Sequence, residues 1–297
     1  MVLYNSLSPH LKRKIPQWAK WGYAWASLIL RKAKVKMYFW VDGFEMNSWF
    51  ESKNIFFILS IGRSGTKFLA DLLNKAPGAL VVHEPFIEAI PHQIAYHDSQ
   101  KAEEYITKFR KKEIYLRVHK LNINTYGEVN SWLRRHCHAL KKAFPKAKFL
   151  HLVRDPRAVV RSMYSRETML PKAYDSRWIY PKEGDPWKDQ WQHMTRFEKL
   201  CWYWTIENRY LRECIGREAI QFEKVISDYE YFREKVLEPL GLEIPRDTWE
   251  KEVKRPKNVS VEYRLPHWSK WTKDMKESFE KICGEEMEKY GYKLGWQ

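Results

Sequence analysis

One segment near the start of the chain constrains the fold most strongly. Residues 55–61 form an apolar run, and residues 62–67 then read Gly-Arg-Ser-Gly-Thr-Lys before a stretch with apolar residues at helical spacing. A short apolar run that ends at a glycine is typical of a buried strand, and two close glycines suit a backbone that turns tightly. The sequence therefore predicts a strand, a glycine-containing turn and a helix that begins at Thr66.

A turn of this kind is a candidate anion-binding site. Backbone N–H groups at the start of a helix point toward a ligand, and the helix dipole favours negative charge there. Arg63 and Lys67 add two cations. The nucleoside-triphosphatase loop needs four residues between its glycines and a Lys followed by Ser or Thr, whereas two residues separate Gly62 from Gly65 here and Phe68 follows the Lys. We therefore expect a phosphate or sulfate group to bind without a metal ion, although an ordinary strand-to-helix turn would carry the same short pattern.

A second candidate anion site follows the apolar run that ends at residue 153. Asp155 and Pro156 are typical of the N-cap and the first position of a helix, so Arg154 falls where a strand ends and a helix begins. Ser162 and Arg166 follow at intervals of eight and four residues, which on a helix puts them on a shared face. Because arginine forks match phosphate oxygens, this pattern predicts a phosphate site; a basic surface helix is the alternative.

The remaining pattern predicts the fold class. Apolar runs and helical segments alternate, which argues for a mainly parallel central sheet with helices on both faces. Strands are predicted at residues 55–61, 79–83, 114–121, 147–153 and 219–225. Helices are predicted at residues 66–75, 99–111, 128–143, 156–166, 188–215, 228–238 and 272–289. Because open α/β sheets bind ligands at the carboxyl ends of their strands, the two anion sites are expected to hold opposite ends of one ligand.

The charge of the chain narrows the choice of partners. Lys and Arg number 53 against 37 Asp and Glu, a net charge of +16, which fits an anionic ligand, a membrane surface or nucleic acid. No helix-turn-helix, zinc-finger or RNA-recognition signature is present, so nucleic acid is not expected as a partner. The four cysteines match no metal-binding or dense disulfide pattern, and reduced thiols in a cytoplasmic protein are expected.

The two anion motifs together resemble those of the sulfotransferase superfamily, closest to the tyrosylprotein, carbohydrate-type and bacterial sulfotransferases. Residues 63–66, Arg-Ser-Gly-Thr, resemble its 5′-phosphosulfate loop, and residues 149–166 resemble its 3′-phosphate segment. The resemblance spans residues 54–292 and implies a three-layer, P-loop-like α/β fold with a mainly parallel sheet flanked by helices. It also implies transfer of a sulfuryl group from PAPS (3′-phosphoadenosine 5′-phosphosulfate) to an acceptor hydroxyl, with PAP as the product and no metal ion.

The resemblance further implies which residues bind the donor. These are Arg63, Ser64, Gly65, Thr66, Lys67, Arg154, Ser162, Arg166, Phe222, Ser269 and Lys270. Phe222 is expected to pack against the adenine, and Ser269 and Lys270 to contact the donor from a late basic loop. The tyrosylprotein enzymes have Thr at the position of Lys67, whereas other members carry a Lys at a neighbouring position.

The resemblance also implies the catalytic residues. Glu84 follows Gly65 by nineteen residues, the spacing at which the resemblance places a catalytic Glu, and it is expected to be the general base on the acceptor hydroxyl. His83 is the alternative base, and side-chain alternation along a strand predicts that only one of the two faces the donor.

Cations are expected to stabilise the charge that builds up during transfer. Arg63 and Lys67 would act on the leaving phosphate and the sulfuryl oxygens. Lys120, near the end of the strand predicted at residues 114–121, is a further candidate for the bridging oxygen.

Residues 167–187 break the alternation and carry several prolines and aromatic residues. Long loops inside compact domains are often functional, so this loop is expected to line the acceptor site. The expected acceptor-binding residues are His83, Trp178, Tyr180 and Trp187. A small molecule, a carbohydrate or a peptide all remain open as the acceptor, with its hydroxyl on a sugar, lipid, phenol or tyrosine.

The amino-terminal region lies outside the resemblance. Residues 1–50 are predicted to form a basic, aromatic helical extension, and residues 51–297 the sulfotransferase domain. No apolar stretch is long enough to span a bilayer. Residues 12–40 could form an interfacial helix on anionic lipid or a helix packed on the domain, so peripheral membrane association of a cytoplasmic protein stays open, as does the oligomeric state.

Two other functions remain as alternatives. One is a kinase-like nucleotide-binding relative, which the missing magnesium-binding hydroxyl disfavours. The other is a basic nucleic-acid- or membrane-binding protein with a degenerate phosphate loop.

Overall fold

A computed structural model describes residues 15–38, 43–170, 179–216, 218–255 and 263–296. The strands of this part of the chain are β1 (Asn54–Ser60), β2 (Ala79–His83), β3 (Thr125–Asn130), β4 (Lys148–Val153) and β5 (Ile220–Gln221). The helices are α1 (Gln17–Met37), α2 (Gly43–Glu51), α3 (Thr66–Leu73), α4 (Ala89–His97), α5 (Ser99–Glu104), α6 (Lys111–Val118), α7 (Cys137–Ala143), α8 (Pro156–Tyr164), α9 (Arg196–Ile215), α10 (Phe222–Ser227), α11 (Tyr229–Phe232), α12 (Glu238–Leu240), α13 (Arg246–Val253) and α14 (Lys273–Glu288). Short π-helical segments lie at Tyr105–Arg110 and Arg233–Leu237, and 3-10 helices at Trp132–His136 and Trp268–Lys270.

The five described strands form one parallel sheet in the order β2-β3-β1-β4-β5. β1 is central, and its side chains are buried on both faces, which is why its sequence is continuously apolar instead of alternating. The predicted fold class, a parallel sheet flanked by helices, is confirmed.

Side chains of β1 alternate between two hydrophobic cores. Ile55, Phe57 and Leu59 pack with α1, α7 and the end of α9, whereas Phe56 and Ile58 pack with α3, α10 and α13. Each fully buried side chain of this kind contributes about 1.5–3 kcal/mol. The sheet is therefore held as the middle of three layers, and α1 is packed on the same core as β1.

A third core lies beside the sheet, between α8, α9 and α14. α9 begins with a capping box in which Thr195 and Glu198 each bond the other's backbone N–H, an arrangement that fixes the start of a helix. α8 begins as predicted, with Asp155 accepting from the backbone N–H of Arg157 and Pro156 in the first turn.

The strand predicted at residues 114–121 is wrong. That segment is α6, which continues from the π-helical Tyr105–Arg110, and its buried Ile114, Tyr115 and Val118 have helical spacing. The third strand is instead β3, whose buried Glu128 is paired with Arg110 at 2.7 Å. A buried strand with ionised and amide side chains lacks the apolar signal by which strands are recognised.

Two other boundaries differ from the prediction. Residues 219–225 contain only the two-residue β5 before α10 begins at Phe222. The helix predicted at residues 128–143 contains the end of β3, a 3-10 turn and α7. In both places the strand is shorter or more polar than the pattern that marks a strand.

The thiols of Cys137 and Cys214 are not reduced, contrary to expectation: a disulfide joins the start of α7 to the end of α9 across 77 residues of sequence. Spacing along the chain cannot show that two helices bring these residues together. Cys201 and Cys283 are free and buried.

Among the described helices, none has the length and apolar character needed to cross a bilayer.

We predict that acid weakens the fold through buried imidazoles. Burial lowers the pKa of His136 and of His151 to about 4, whereas an unfolded histidine titrates near 6.5. Between these values the unfolded chain binds more protons, so the free energy of unfolding falls as the pH drops from about 6.5 toward about 4, by about 1.4 kcal/mol per pH unit for each histidine. Urea unfolding across this range measures the slope.

His136→Gln is the control for this pH effect. Glutamine does not titrate, so the free energy of unfolding of the variant should change less steeply with pH. The difference should equal the contribution of one histidine. An unchanged slope in the variant would show that His136 does not carry the effect.

Candidate functional site

The register of β1 and β4 brings the two predicted anion motifs together. Ser60 is opposite Leu152 in the parallel pair, so the turn after β1 and Arg154 after β4 lie side by side at the carboxyl edge of the sheet. Within the turn, Arg63 has φ 72° and Gly65 has φ 89°. A left-handed conformation is costly for arginine, and such strain is concentrated at functional sites.

Phe222 closes this turn from the other side. A Cβ added to Gly65 would lie 2.1 Å from Cε2 of Phe222, so no larger residue fits. The guanidinium of Arg154 lies 5.2 Å from the centre of the same ring. Phe222 thus packs on the glycine turn itself, and its expected contact with adenine stays a prediction.

Cationic side chains converge on this turn. Nε of Arg63 donates to Oγ of Ser162 at 2.8 Å, and Nη1 of Arg154 donates to the backbone oxygen of Arg63 at 3.0 Å. Burial and the charges of Arg166 and Arg154 lower the pKa of Arg63 to about 10. The two anion motifs therefore form one contiguous cationic cluster, in which a bound anion would offset the mutual repulsion.

Arg166 contributes to this cluster from outside the helix predicted for it. α8 ends at Tyr164, two residues earlier than predicted, so Arg166 lies in the following turn. Its charge is nevertheless close enough to depress the pKa of Arg63.

Two polar atoms in this cluster have no hydrogen-bond partner among the described residues. They are Oγ of Ser64 and Nε of Arg154, and both are buried. The carboxylate of Glu223 lies 3.9 Å from Nε of Arg154, beyond hydrogen-bond range. Leaving a buried donor unsatisfied costs about 1–3 kcal/mol, so these atoms fit a site that an anionic oxygen would complete.

The acidic side of the site is formed at the end of β2. Oε1 of Glu84 accepts from the hydroxyl of Ser131 and, at 3.3 Å, from its backbone N–H. Nε2 of His83 lies 2.9 Å from Oγ1 of Thr66 and 3.8 Å from Oε1 of Glu84. Burial lowers the pKa of His83, which favours the neutral imidazole.

The expectation that only one of His83 and Glu84 faces the site is wrong. β2 ends at His83, and Glu84 has φ 42°. Because this left-handed residue ends the strand, the alternation of side chains stops, and both line the same cleft.

The cleft has a volume of about 370 Å³. Its lining includes Gly62, Arg63, Thr66, His83 and Glu84 from the predicted site, together with Trp21, His92, Gln93, Ser131, Trp132, Arg134, Met163, Glu167, Thr168, Ile179 and Tyr203. Of the second group, Glu167, Thr168 and Ile179 belong to the loop at residues 167–187 that was expected to line the acceptor site. The others were not predicted from the sequence. Ser131 follows β3, which was itself missed, and a correct strand would have placed it at the same edge as Glu84.

Arg134 is the main charged group among these additional residues. Its Nε donates to Glu207 at 2.6 Å, and its Nη2 lies 2.9 Å from Nε2 of His92 and bonds the hydroxyl of Tyr203. The pKa of His92 is lowered by burial and by Arg134. This network fixes one wall of the cleft.

Two predicted lysines lie outside the cleft lining. Lys67 is half exposed and pairs with Asp71 at 2.6 Å on the outer side of α3. Lys120 is exposed on the turn after α6, before β3 begins. Because the site lies where the strands end, Lys120 is at the opposite edge of the sheet, and its predicted placement is wrong.

The aromatic residues predicted for the acceptor are distributed differently. Tyr180 is not in the cleft lining; its ring lies 5.3 Å from that of His97. Trp187 packs beside the third core under Lys281. Trp178 lies outside the described residues. The loop instead contributes Glu167, Thr168 and Ile179 to the cleft.

Ser269 and Lys270 are exposed on the 3-10 turn Trp268–Lys270. The ring of Trp268 lies 5.6 Å from the guanidinium of Arg157 on α8, so this segment packs beside the first turn of α8. Neither Ser269 nor Lys270 lines the cleft. Contact with a donor stays a prediction for both residues.

A family model described as the sulfotransferase family matches residues 56–246. The crystal structure of a sulfotransferase from Alicyclobacillus acidocaldarius is 16% identical with a TM-score of 0.47, covering 80% of this chain and 94% of its own. One from Mycobacterium avium is 13% identical with a TM-score of 0.49, covering 83% of this chain and 79% of its own. No curated protein sequence matches.

We predict that Gly65→Ala destabilises the turn. The new Cβ would meet the Phe222 ring at 2.1 Å in a backbone with φ 89°, so the substitution adds an overpacking loss of about 1–3 kcal/mol to the left-handed strain. Urea unfolding measures the difference in free energy.

Gly184→Ala is the matched control. Gly184 has φ 82°, but an added Cβ would meet no atom within 4 Å, so it shares the backbone strain without the clash. Equal losses in the two variants would show that the Phe222 contact does not constrain the turn.

Proposed function

Because the chain belongs to the sulfotransferase family, as its motifs indicated, we propose that it transfers a sulfuryl group from PAPS to an acceptor hydroxyl with Glu84 as general base. The observation that carries this proposal is the shared cleft: the cationic cluster around Arg63 and the carboxylate of Glu84 meet in one space. The acceptor hydroxyl belongs to a sugar, lipid, phenol or tyrosine.

The residues of the cationic cluster suit the two anionic ends of such a donor. The backbone and side chains of residues 63–66 would hold the phosphosulfate end, since α3 starts there without a side-chain cap on its first N–H groups. Arg154, Ser162 and Arg166 would hold the 3′-phosphate. The unsatisfied Oγ of Ser64 and Nε of Arg154 support this fit, because phosphate oxygens accept from both groups.

PAPS, when bound, supplies a sulfuryl group that is activated by its attachment to a phosphate leaving group. Glu84 would take the proton from the acceptor hydroxyl as that oxygen bonds to sulfur and the sulfur–phosphate oxygen bond breaks. Ser131 bonds only Oε1 of Glu84, so we assign Oε2 as the base. Arg63 would stabilise the charge that moves to the leaving oxygen.

His83 has a different role from Glu84. Its neutral ring bonds the Thr66 hydroxyl at the start of α3, so it ties the end of β2 to the phosphate-binding turn. In this position it orients the turn, and the lowered pKa keeps it from adding a charge beside Arg63.

We expect Glu84→Gln to lower turnover by about 10²–10⁴-fold, because it removes a general base, while binding of PAP is retained. The measurement is transfer from ³⁵S-labelled PAPS to the first acceptor found in a panel of sugars, lipids, phenols and tyrosyl peptides. His83→Asn is the comparison variant. If His83→Asn abolishes turnover and Glu84→Gln does not, the two roles are reversed.

We expect PAP without metal to raise the melting temperature more than ATP with magnesium does, because ligand binding stabilises in proportion to occupancy. Arg154→Ala should reduce PAP affinity by about 10- to 150-fold, the loss of a charge-assisted contact worth about 1.5–3 kcal/mol. Arg246→Ala is the control, since this exposed arginine pairs with Glu230 away from the cleft. Stabilisation by ATP with magnesium alone would favour a kinase-like protein instead.

A further inference from the structure

α1 has a buried face that fastens it to the domain. Ala24, Leu28 and Val35 recur at helical spacing and belong to the core beneath β1. Arg31, on the same face, donates to both carboxylate oxygens of Glu113 at 2.7 Å. The orientation of α1 is therefore fixed, and its opposite face is held outward.

That outward face is apolar. Trp18, Trp25 and Ile29 recur at intervals of seven and four residues, so they lie on one side of the helix, and they are 78%, 45% and 61% exposed. Leu30 and Met37 lie on the adjoining side of the helix and are 56% and 72% exposed. A contiguous exposed apolar strip marks an interaction surface.

Cations stand at the carboxyl-terminal part of this strip. Lys32, Lys34 and Lys36 are all exposed; Lys32 and Lys36 follow Trp25 and Ile29 by seven residues, on the same side of the helix. Lysine stems can lie along an apolar surface while the ammonium groups reach phosphates. The chemistry matches a lipid surface, with acyl chains under the apolar residues and headgroups at the lysines.

A neighbouring groove extends the positive surface. It has a volume of about 380 Å³, and its charged lining is Lys32, Lys36, Lys101, Lys108 and one carboxylate, Glu104. Lys101 and Lys108 each also pair with a carboxylate of their own helical segment. With a net charge of +16 on the chain, the surface around α1 complements anionic headgroups.

The strip borders the cleft. Trp21 lies on α1 between Trp18 and Trp25 and lines the cleft with Glu167. Lys20 pairs with Glu167 at 2.7 Å. A helix resting on a surface through its outer face would thus hold the mouth of the cleft next to that surface.

We propose that the outer face of α1 docks on an anionic lipid bilayer and holds the cleft at the membrane surface. The helix lies in the interface, with the apolar strip among the acyl chains and the lysines at the phosphates. This docking does not depend on the chemistry in the cleft, and it stands or falls separately from the proposed sulfuryl transfer.

The first test places an environment-sensitive fluorophore on α1. The free Cys201 and Cys283 are buried, so Ile29→Cys supplies the thiol that is labelled. With vesicles of phosphatidylglycerol and phosphatidylcholine, we expect a blue shift at this position and co-sedimentation of the protein. Vesicles of phosphatidylcholine alone should bind at least tenfold more weakly.

Ile226→Cys is the matched control for the label. Ile226 is also a partly exposed isoleucine, but its helix α10 packs on the other face of the sheet. No blue shift with the anionic vesicles, or an equal shift at both positions, would overturn the proposal. A blue shift at Ile29 without vesicles, together with dimers in sedimentation, would show that the strip is a protein interface instead.

The second test separates the apolar and charged parts. Trp18→Ser with Trp25→Ser, and Lys32→Gln with Lys34→Gln and Lys36→Gln, should each reduce vesicle affinity at least tenfold, since one lysine near an anionic surface is worth about fivefold. The control changes three other exposed lysines and keeps the same net charge: Lys251→Gln, Lys273→Gln and Lys281→Gln. Equal loss in the control would show a non-specific charge effect and overturn the role of α1.

All of the substituted side chains are exposed, so we expect the variants to fold. Circular dichroism and the melting temperature check this. PAP-dependent stabilisation is measured on the same samples. Vesicle binding without a response to PAP would contradict the proposed function only, and a response to PAP without vesicle binding would contradict the docking only.

Discussion

The parallel pairing of β1 with β4 is the constraint on which the site depends. It places the turn after β1 beside Arg154, and the bond from Arg154 to the backbone oxygen of Arg63 holds the two loops together. The cores on both faces of the sheet keep this register, because a shift would expose the apolar side chains of β1. Phe222 then fixes the turn by packing where Gly65 has no side chain.

The cationic cluster and the end of β2 are electrostatically and conformationally strained. Burial and two neighbouring arginines lower the pKa of Arg63. Both Arg63 and Glu84 have a left-handed backbone conformation. Structures keep strain of this kind where the surrounding fold over-determines it. Here Ser162 and Arg154 hold Arg63, whereas Ser131, itself bonded by Arg134, holds Glu84. The cations and the carboxylate are therefore held in place by their neighbours.

The sequence was informative where one local pattern decides the structure. The strand before Gly62, the cap of α8 at Asp155 and the parallel sheet were all predicted, because apolar periodicity and capping are local properties. The strand at Thr125–Asn130 was not, since its polar side chains are satisfied by Arg110 from a distant helix. The error moved Lys120 to the wrong edge and left Ser131 unrecognised.

The sequence alone determined the α/β class, the glycine-containing turn before α3 and the position of Arg154 at the end of β4, because each depends on a short, contiguous pattern. Tertiary structure alone decided which of these meet. Only the fold turns Glu84 to the same side as His83 through a left-handed residue, and only packing puts α1 beside the cleft. The physical reason is that contacts between distant segments depend on register and on helix docking, which are set by the sum of many buried contacts and not by any local spacing.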